Sequence, residues 1–428
     1  MPKKPPSPRR PAGKVPPRAA AAPAGPAFAA LLKSVTAPPA RPVPAATTAS
    51  APLAHLDYPA ELKAKEEGLR LFWKNHRLPG SPKPLVPSPR PRGYRTTSKR
   101  RAVLRGSTLY FLFGDLTLKA QNRPFADSPL EPPADARIYR FLQQKLSEPA
   151  YRLAAGHLNY LIIRGSLAER AVIFNVDELN GPLVRKLKLL AEHLRKLPEP
   201  PVAAFVYHDP TQSDYYFEAR RPDGLGFKRL YGPDQLTATF AGCRYKFHPT
   251  SFSQVNEAMV EPMLRQAEAL LAPAPDGRLL DLYCGYGLFS LFLAPRYREV
   301  LGIDAEGPSI RAAIGNAKLN PDGRRARFLA RRITAELIAE ELPPAPGPET
   351  TLLDPPRQGP QPGVIPALCE RQPRQVLHII CGVDQIPASV KEWQAGGYQV
   401  ERVVPLDMFP GSANLEVLIL LAPQPGNS

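Results

Sequence analysis

The stretch Asp281-Leu282-Tyr283-Cys284-Gly285-Tyr286-Gly287-Leu288-Phe289-Ser290 carries the residue types most suited to chemistry. It grows out of an apolar run, Arg278 to Tyr283, that reads as a short strand. Glycines at 285 and 287 let the backbone turn tightly and approach a ligand with no Cβ in the way. A second apolar run, Val300-Leu301-Gly302-Ile303, ends on Asp304, 23 residues after Asp281. An acid at that spacing can accept hydrogen bonds from both hydroxyls of a ribose, so the pair points to a cofactor containing a nucleoside. No lysine sits in the loop, which sets it apart from a P-loop. The four cysteines include no Cys-x-x-Cys pair. They suit neither a disulfide framework nor a zinc or iron–sulfur site, so no metal is expected and a reduced cytoplasm is the expected compartment.

The elements that would position these residues follow from periodicity. From Phe252 onward, strand and helix patterns alternate: a helix from Val255 to about Leu271, the strand to Tyr283, the strand to Asp304, and a helix near Pro308 to Leu319. A strand around Arg327-Phe328-Leu329 comes next, then Thr350 to Asp354 and Gln375 to Cys381. Alternation of this kind predicts a parallel sheet covered on both faces. The last two runs, Gln399 to Val404 and Val417 to Leu421, have no room for a crossover helix between them and must pair antiparallel. Parallel strands ending in a hairpin are the architecture of S-adenosylmethionine-dependent methyltransferases. The expected fold is therefore α/β, with a Rossmann-like class I methyltransferase sheet over residues 251–428. Ligands of such sheets bind at the carboxyl ends of the strands.

Residues 55–250 read differently. One amphipathic helix, with Pro59 in its first turn, is predicted from Tyr58 to Asn75, followed by a proline-punctuated linker from Pro79 to Pro91. Short alternating runs from Gly93 to about Pro249 predict a small α+β domain with one helix near Pro182 to Leu197. Before these, residues 1–50 hold eight Lys or Arg, no acid and thirteen of the chain's 55 prolines. Such a stretch cannot bury enough apolar surface to offset its ordering entropy, and residues 1–54 are expected to form a disordered basic arm. An acid-free, Ala-rich leader also suits a transit peptide, although its prolines oppose an amphipathic helix. The net charge is +17, of which +9 lies beyond residue 50, a balance that fits contact with a phosphate backbone. No apolar run is long enough to cross a membrane as a helix.

Five stretches in order resemble the RNA uracil-C5 methyltransferases, from about Arg92 to the end of the chain. They are Phe252-Ser253-Gln254-Val255-Asn256, the Asp281 to Phe289 loop, Asp354-Pro355-Pro356-Arg357, the strand ending in Cys381, and Asp407-Met408-Phe409-Pro410 followed by Glu416. The resemblance implies that Gln254, Tyr283, Gly285, Gly287, Asp304 and Asp354 bind S-adenosylmethionine. It also implies that Cys381 is the nucleophile and Glu416 the base. Two departures stand out. Leu288 replaces a residue that is often polar in relatives, and Ala330-Arg331-Arg332-Ile333 offers no acid to the adenine.

Methylating C5 of uracil needs such a pair, because that carbon is not nucleophilic until a thiolate adds at C6, and a base must afterwards remove the C5 proton. The target base must also leave its stack. Arg92, Tyr94 and Arg95, within a basic cluster that includes Lys99-Arg100-Arg101 and Arg105, are expected to face RNA, together with Arg357. Tyr215 and Tyr216 offer one further stacking surface at most. The expected partner is tRNA or rRNA, and the chain is expected to act as a monomer. Two alternatives stay open at this point: a Rossmann-like methyltransferase acting on an RNA amino group or a protein, and a non-catalytic RNA-binding protein.

Overall fold

The computed structural model describes residues 25–212, 226–305 and 307–425. Three helices come first, α1 (Phe28–Val35), α2 (Ala45–Ser50) and α3 (Tyr58–Asn75). The expected helix at Tyr58 is present. Its cap is Asp57, whose carboxylate accepts the Ala60 N–H at 2.8 Å, and Pro59 occupies the first turn.

Residues 25–54, expected as part of a disordered arm, are folded. α1 crosses α3 at Gly68, where a Cβ would stand 3.2 Å from the Leu32 Cα, so a larger side chain would push the helices apart. Phe28 and Leu32 are buried against Leu69 and Phe72, with the Phe28 ring edge-on to Phe72 at 6.2 Å. Two large apolar side chains are enough when a neighbouring helix supplies the opposing face. Residues 1–24 of the expected arm lie outside the described residues.

Among the described residues there are two large sheets and one small hairpin. The first sheet contains β1 (Thr97–Arg105), β2 (Thr108–Leu112), β3 (Leu158–Gly165), β4 (Arg170–Val176), β5 (Ala203–His208) and β6 (Phe227–Tyr231), in the order β2-β1-β3-β4-β5-β6. One face is covered by α5 (Pro133–Leu146), α6 (Arg152–His157) and α7 (Gly181–Leu194), with the short α4 (Leu118–Gln121) at the β2 end. α7 matches the expected helix, whereas α5 and α6 lie in a stretch read as strands. Pro132-Pro133 marks the start of α5, since a proline in the first turn costs no hydrogen bond.

A hairpin of β7 (Leu236–Phe240) and β8 (Cys243–Phe247) leads to α8 (Val260–Leu270). The second sheet is built from β9 (Ala274–Leu282), β10 (Tyr297–Asp304), β11 (Ala326–Ala330), β12 (Glu349–Leu353), β13 (Gln375–Ile380), β14 (Tyr398–Leu406) and β15 (Glu416–Pro423). Its order is β11-β10-β9-β12-β13-β15-β14, with only the final hairpin antiparallel, as the missing crossover requires. α9 (Leu288–Leu293), α10 (Pro308–Ala317), α11 (Val364–Arg371) and α12 (Ile386–Ala395) provide the crossovers. The fold is the Rossmann-like class I methyltransferase sheet behind a smaller α+β sheet.

Two expected divisions of the chain are corrected. α1 and α3 share a core with Leu280, Val403 and Leu421 of the C-terminal sheet, so α3 does not belong with the α+β sheet. The proline-rich linker is laid along the outer edge of β14. The Lys83 and Val86 N–H groups donate to the Val403 and Pro405 carbonyls, and the Asp407 N–H returns to the Val86 carbonyl, each at 2.9 Å. Prolines are tolerated there because an edge segment needs donors on one side only. If α1 is a structural part of the molecule, Leu32→Ala should lower unfolding stability by about 2–5 kcal/mol, the usual cost of truncating a buried leucine. Urea unfolding of the two proteins measures it, and a difference near zero would return α1 to the status of a loose arm.

Candidate active site

Parallel pairing brings the carboxyl ends of four strands side by side. Leu282 pairs with both Ile303 and Leu353, and Leu353 with His378. Tyr283, Asp304, Asp354 and Cys381 therefore share one edge of the sheet, where ligands of such sheets bind. β15 returns to that edge antiparallel to β13, with Ile380 opposite Val417. Carried one step outward, the register sets Cys381 against Glu416, the first residue of β15. Directly opposed residues of an antiparallel pair have Cβ atoms about 5 Å apart.

The loop after β9 turns in the left-handed region, with φ of 63° at Tyr283, 56° at Gly285 and 86° at Gly287. Its anchor is Asp304: one carboxylate oxygen accepts the Gly285 N–H at 2.7 Å and the other the Ala305 N–H at 2.6 Å. Among the described residues nothing stands within 4 Å of where a Gly285 Cβ would be, which leaves that face of the loop room for a ligand. Gly287 serves packing instead, with Phe328 at 3.1 Å from its virtual Cβ. Asp281 is fully buried; its Oδ2 accepts the Ser290 hydroxyl at 2.5 Å, while Oδ1 has no partner. An orphaned buried acceptor beside an open glycine face fits a ligand that brings donors.

Charge points the same way. Burial, with the nearby Asp354 charge, pushes the Asp281 carboxyl up to about 7 despite the Ser290 hydrogen bond. Burial and the Asp304 charge raise Asp354, and burial raises Asp304 against its two N–H donors. Acids crowded on one edge disfavour one another's ionisation, and a positively charged ligand relieves that strain. S-adenosylmethionine carries a sulfonium and an ammonium group. The residues present fit it.

Beyond this cluster, burial pushes the Cys381 thiol up to about 12, with Glu416 and Asp354 adding to the effect and Arg357 opposing it. Burial and Asp354 raise Glu416 well above the usual carboxylate range, again with Arg357 opposing. Arg357 is exposed, and its guanidinium lies 6.0 Å from the Phe409 ring. It is the counter-charge to both groups. Among the described residues no three His, Cys, Asp or Glu side chains are grouped to hold a metal ion, and no helix is long and apolar enough to cross a membrane.

Gln254 is buried beside Tyr286 and Ser166, on a segment held from both sides. The Thr96 N–H donates to the Val255 carbonyl at 2.9 Å. The buried Arg164 of β3 donates to the carbonyls of Pro249 and Ser251 and to the Ser253 hydroxyl. These bonds leave Phe252 between them, 52% exposed, an aromatic that its apolar type alone would have sent to the core.

Two of the expected RNA contacts need correction. Tyr94 is buried, packs on Ala51 and Leu130, and donates its hydroxyl to the Pro410 carbonyl at 2.9 Å, so its ring cannot stack on a base. Arg92 is turned inward to Glu61 at 3.0 Å and to the Leu56 and Pro91 carbonyls. Arg100 of the same cluster is buried in a pair with Glu131. Arg95 stays half-buried, donating to the Thr97 carbonyl at 3.1 Å. Tyr215 and Tyr216 lie outside the described residues. What sequence reasoning missed is the anchorage of the 407–411 turn by Glu61 and Lys65. The signal was available: both fall at i, i+4 spacing on the same helical stripe as Gly68, Leu69 and Phe72, where a solvated pair would not sit.

The family model of tRNA (Uracil-5-)-methyltransferase matches residues 222–341. An uncharacterized RNA methyltransferase of Thermosynechococcus vestitus is 29% identical over 381 residues, covering 85% of this chain and 80% of the relative. A 23S rRNA (uracil(1939)-C(5))-methyltransferase of Yersinia enterocolitica is 31% identical over 247 residues, 58% of this chain and 53% of the relative. The chain thus spans about half the length of that rRNA enzyme. In structure it is similar to a tRNA (uracil-54, C5)-methyltransferase of Pyrococcus abyssi solved with S-adenosyl-L-homocysteine. The TM-score is 0.66 at 21% identity, covering 90% of this chain and 88% of that one.

The raised Cys381 thiol has a measurable consequence. Only the thiolate is alkylated, so a thiol held near 12 should react with iodoacetamide about tenfold faster for each pH unit between about 7 and 9, without a plateau. The rate is read as the difference between wild type and Cys381→Ala. Saturation near neutral pH would mean a thiol activated at rest.

Proposed function

We propose that this chain is an RNA uracil-5 methyltransferase that takes its methyl group from S-adenosylmethionine and forms 5-methyluridine in tRNA or rRNA through a covalent adduct on Cys381. The observation that carries this reading is the Ile380–Val417 pair of β13 and β15, whose register, extended by one residue, sets Cys381 against Glu416 beside the acid-lined glycine loop. Asp304, Asp281 and Asp354, with the backbone at Gly285, would hold S-adenosylmethionine, helped by Tyr283 and Gln254.

Cys381 and Glu416 each first give up a proton to solvent, and the Cys381 thiolate adds to C6 of the flipped uracil. A C–S bond forms, and the C5–C6 π electrons move to make an enolate across C5 and O4. When bound, S-adenosylmethionine supplies an electrophilic methyl group to the C5 carbon so activated. Glu416 then takes the C5 proton. The electrons left behind restore the C5–C6 double bond, the C6–S bond breaks, and Cys381 leaves as thiolate. Burial gives Glu416 the high proton affinity such a base needs, and Arg357 favours the charged forms of both groups at the moments they are used. The thiol at rest is protonated, so only its small thiolate fraction adds to C6.

RNA would approach over the half-buried basic face of β1. Alternation along β1 puts Lys99, Arg101, Val103 and Arg105 on one face, and the Lys99 ammonium lies 5.0 Å from the Tyr160 ring. With Arg357 and the exposed Phe252 they offer phosphate contacts and stacking surface. The division of roles is tested by Glu416→Gln. Its Cys381 still attacks and C5 still gains the methyl group, but the proton stays, so a protein–RNA adduct carrying methyl label should survive denaturing electrophoresis. Release should slow by about 10²–10⁴, the usual cost of losing a positioned base. Cys381→Ala should give neither adduct nor product. Turnover of Glu416→Gln at the wild-type rate would remove Glu416 from the mechanism.

A further inference from the structure

The loop from Asp407 to Leu415 joins β14 to β15 and starts opposite Glu416, since Leu406 pairs with Glu416 across the hairpin. Most of its anchors come from the N-terminal segment. Lys65 donates to Asp407 Oδ1 at 2.7 Å and to the Phe409 carbonyl at 3.2 Å. The Tyr58 hydroxyl donates to Asp407 Oδ2 at 3.0 Å and accepts the Ser88 N–H at 2.6 Å. Glu61 accepts the Gly411 N–H and pairs with Lys65 at 2.8 Å, and Leu53 donates to the Gly411 carbonyl at 2.9 Å. From the other side, the Asn256 amide donates to the Met408 carbonyl at 3.1 Å.

Glu61, Lys65 and Asp407 are fully buried, and Arg92 balances the cluster to two charges of each sign. Desolvating such groups is costly, and apolar packing of the same volume would hold two elements together at least as firmly. What directed charges add is one specific conformation. Here Glu61 and Lys65 bear directly on the turn that precedes Glu416, and Asp407 belongs to it.

We propose that Tyr58 and Lys65 are positioning residues for methyl transfer: through Asp407 and the Phe409 carbonyl they fix the 407–415 loop and hold Glu416 in line with Cys381. The inference rests on the reading of Glu416 as the base. Cys381 and the acids at the cofactor loop lie on or just after other strands, β9, β10, β12 and β13, so disturbing this loop should impair proton removal most.

Tyr58→Phe and Lys65→Met are compared with wild type and Glu416→Gln in the full-length protein, reading S-adenosylmethionine affinity by calorimetry and methyl-labelled adduct by denaturing electrophoresis. Both variants should keep their cofactor affinity, accumulate the methylated adduct, and turn over more slowly, by up to about 100-fold for a displacement of the order of an ångström. Tyr58→Phe removes only one hydroxyl, so it reports even if Lys65→Met fails to fold. Wild-type turnover, or loss of cofactor binding and adduct together in proportion to unfolding, would overturn the positioning role. If Glu416→Gln itself forms no adduct, the base assignment falls first and takes the inference with it.

Discussion

The antiparallel register of β13 and β15 is the constraint on which the chemistry depends. Side chains alternate along a strand, so a slip of one residue would turn Glu416 to the opposite face and leave Cys381 facing Val417. Several features guard that register. β15 is flanked on both sides, by β13 and β14, and every residue from Glu416 to Leu421 is buried. The segment Lys83–Val86 extends the sheet beyond β14, and the charged cluster on α3 grips the loop at the hairpin's end. The N-terminal segment is thus tied to the candidate catalytic edge although it precedes that edge by more than 300 residues in sequence.

The same edge concentrates negative charge. Asp281, Asp304, Asp354 and Glu416 all have their carboxyls raised, and Cys381 is pushed in the same direction by the last two. Such an edge is poorly suited to holding a second anion and well suited to a sulfonium. Among the described residues Arg357 is the positive group that opposes the shifts of both Cys381 and Glu416. A cationic cofactor and a cationic arginine would let the acids ionise, so binding and readiness for chemistry are coupled by ordinary electrostatics.

How much of this was legible in the sequence varied with the range of the interaction. The glycine loop, Asp304, the strands of the C-terminal sheet and the antiparallel end were readable, because local periodicity and connection length determine them. The start of α3 was readable from Pro59 in its first turn. Residues 25–54 were not, since the burial of Phe28 and Leu32 depends on a face of α3 some 40 residues away. Tyr94 and Arg92 looked like an RNA-binding pair because their partners, Pro410 and Glu61, are 316 and 31 residues distant. Prolines from Pro79 to Pro91 suggested a linker, and only the exposed edge of β14 explains how they are accommodated.

The central claim is that C5 of uridine, and no exocyclic nitrogen or protein atom, is the carbon methylated, by way of addition at Cys381. RNA labelled with tritium at C5 of uridine tests it most directly, because only chemistry at that carbon expels the hydrogen. The account predicts tritium release in step with methyl incorporation by the wild-type protein, and none by Cys381→Ala. Methyl incorporation with the tritium retained would contradict it.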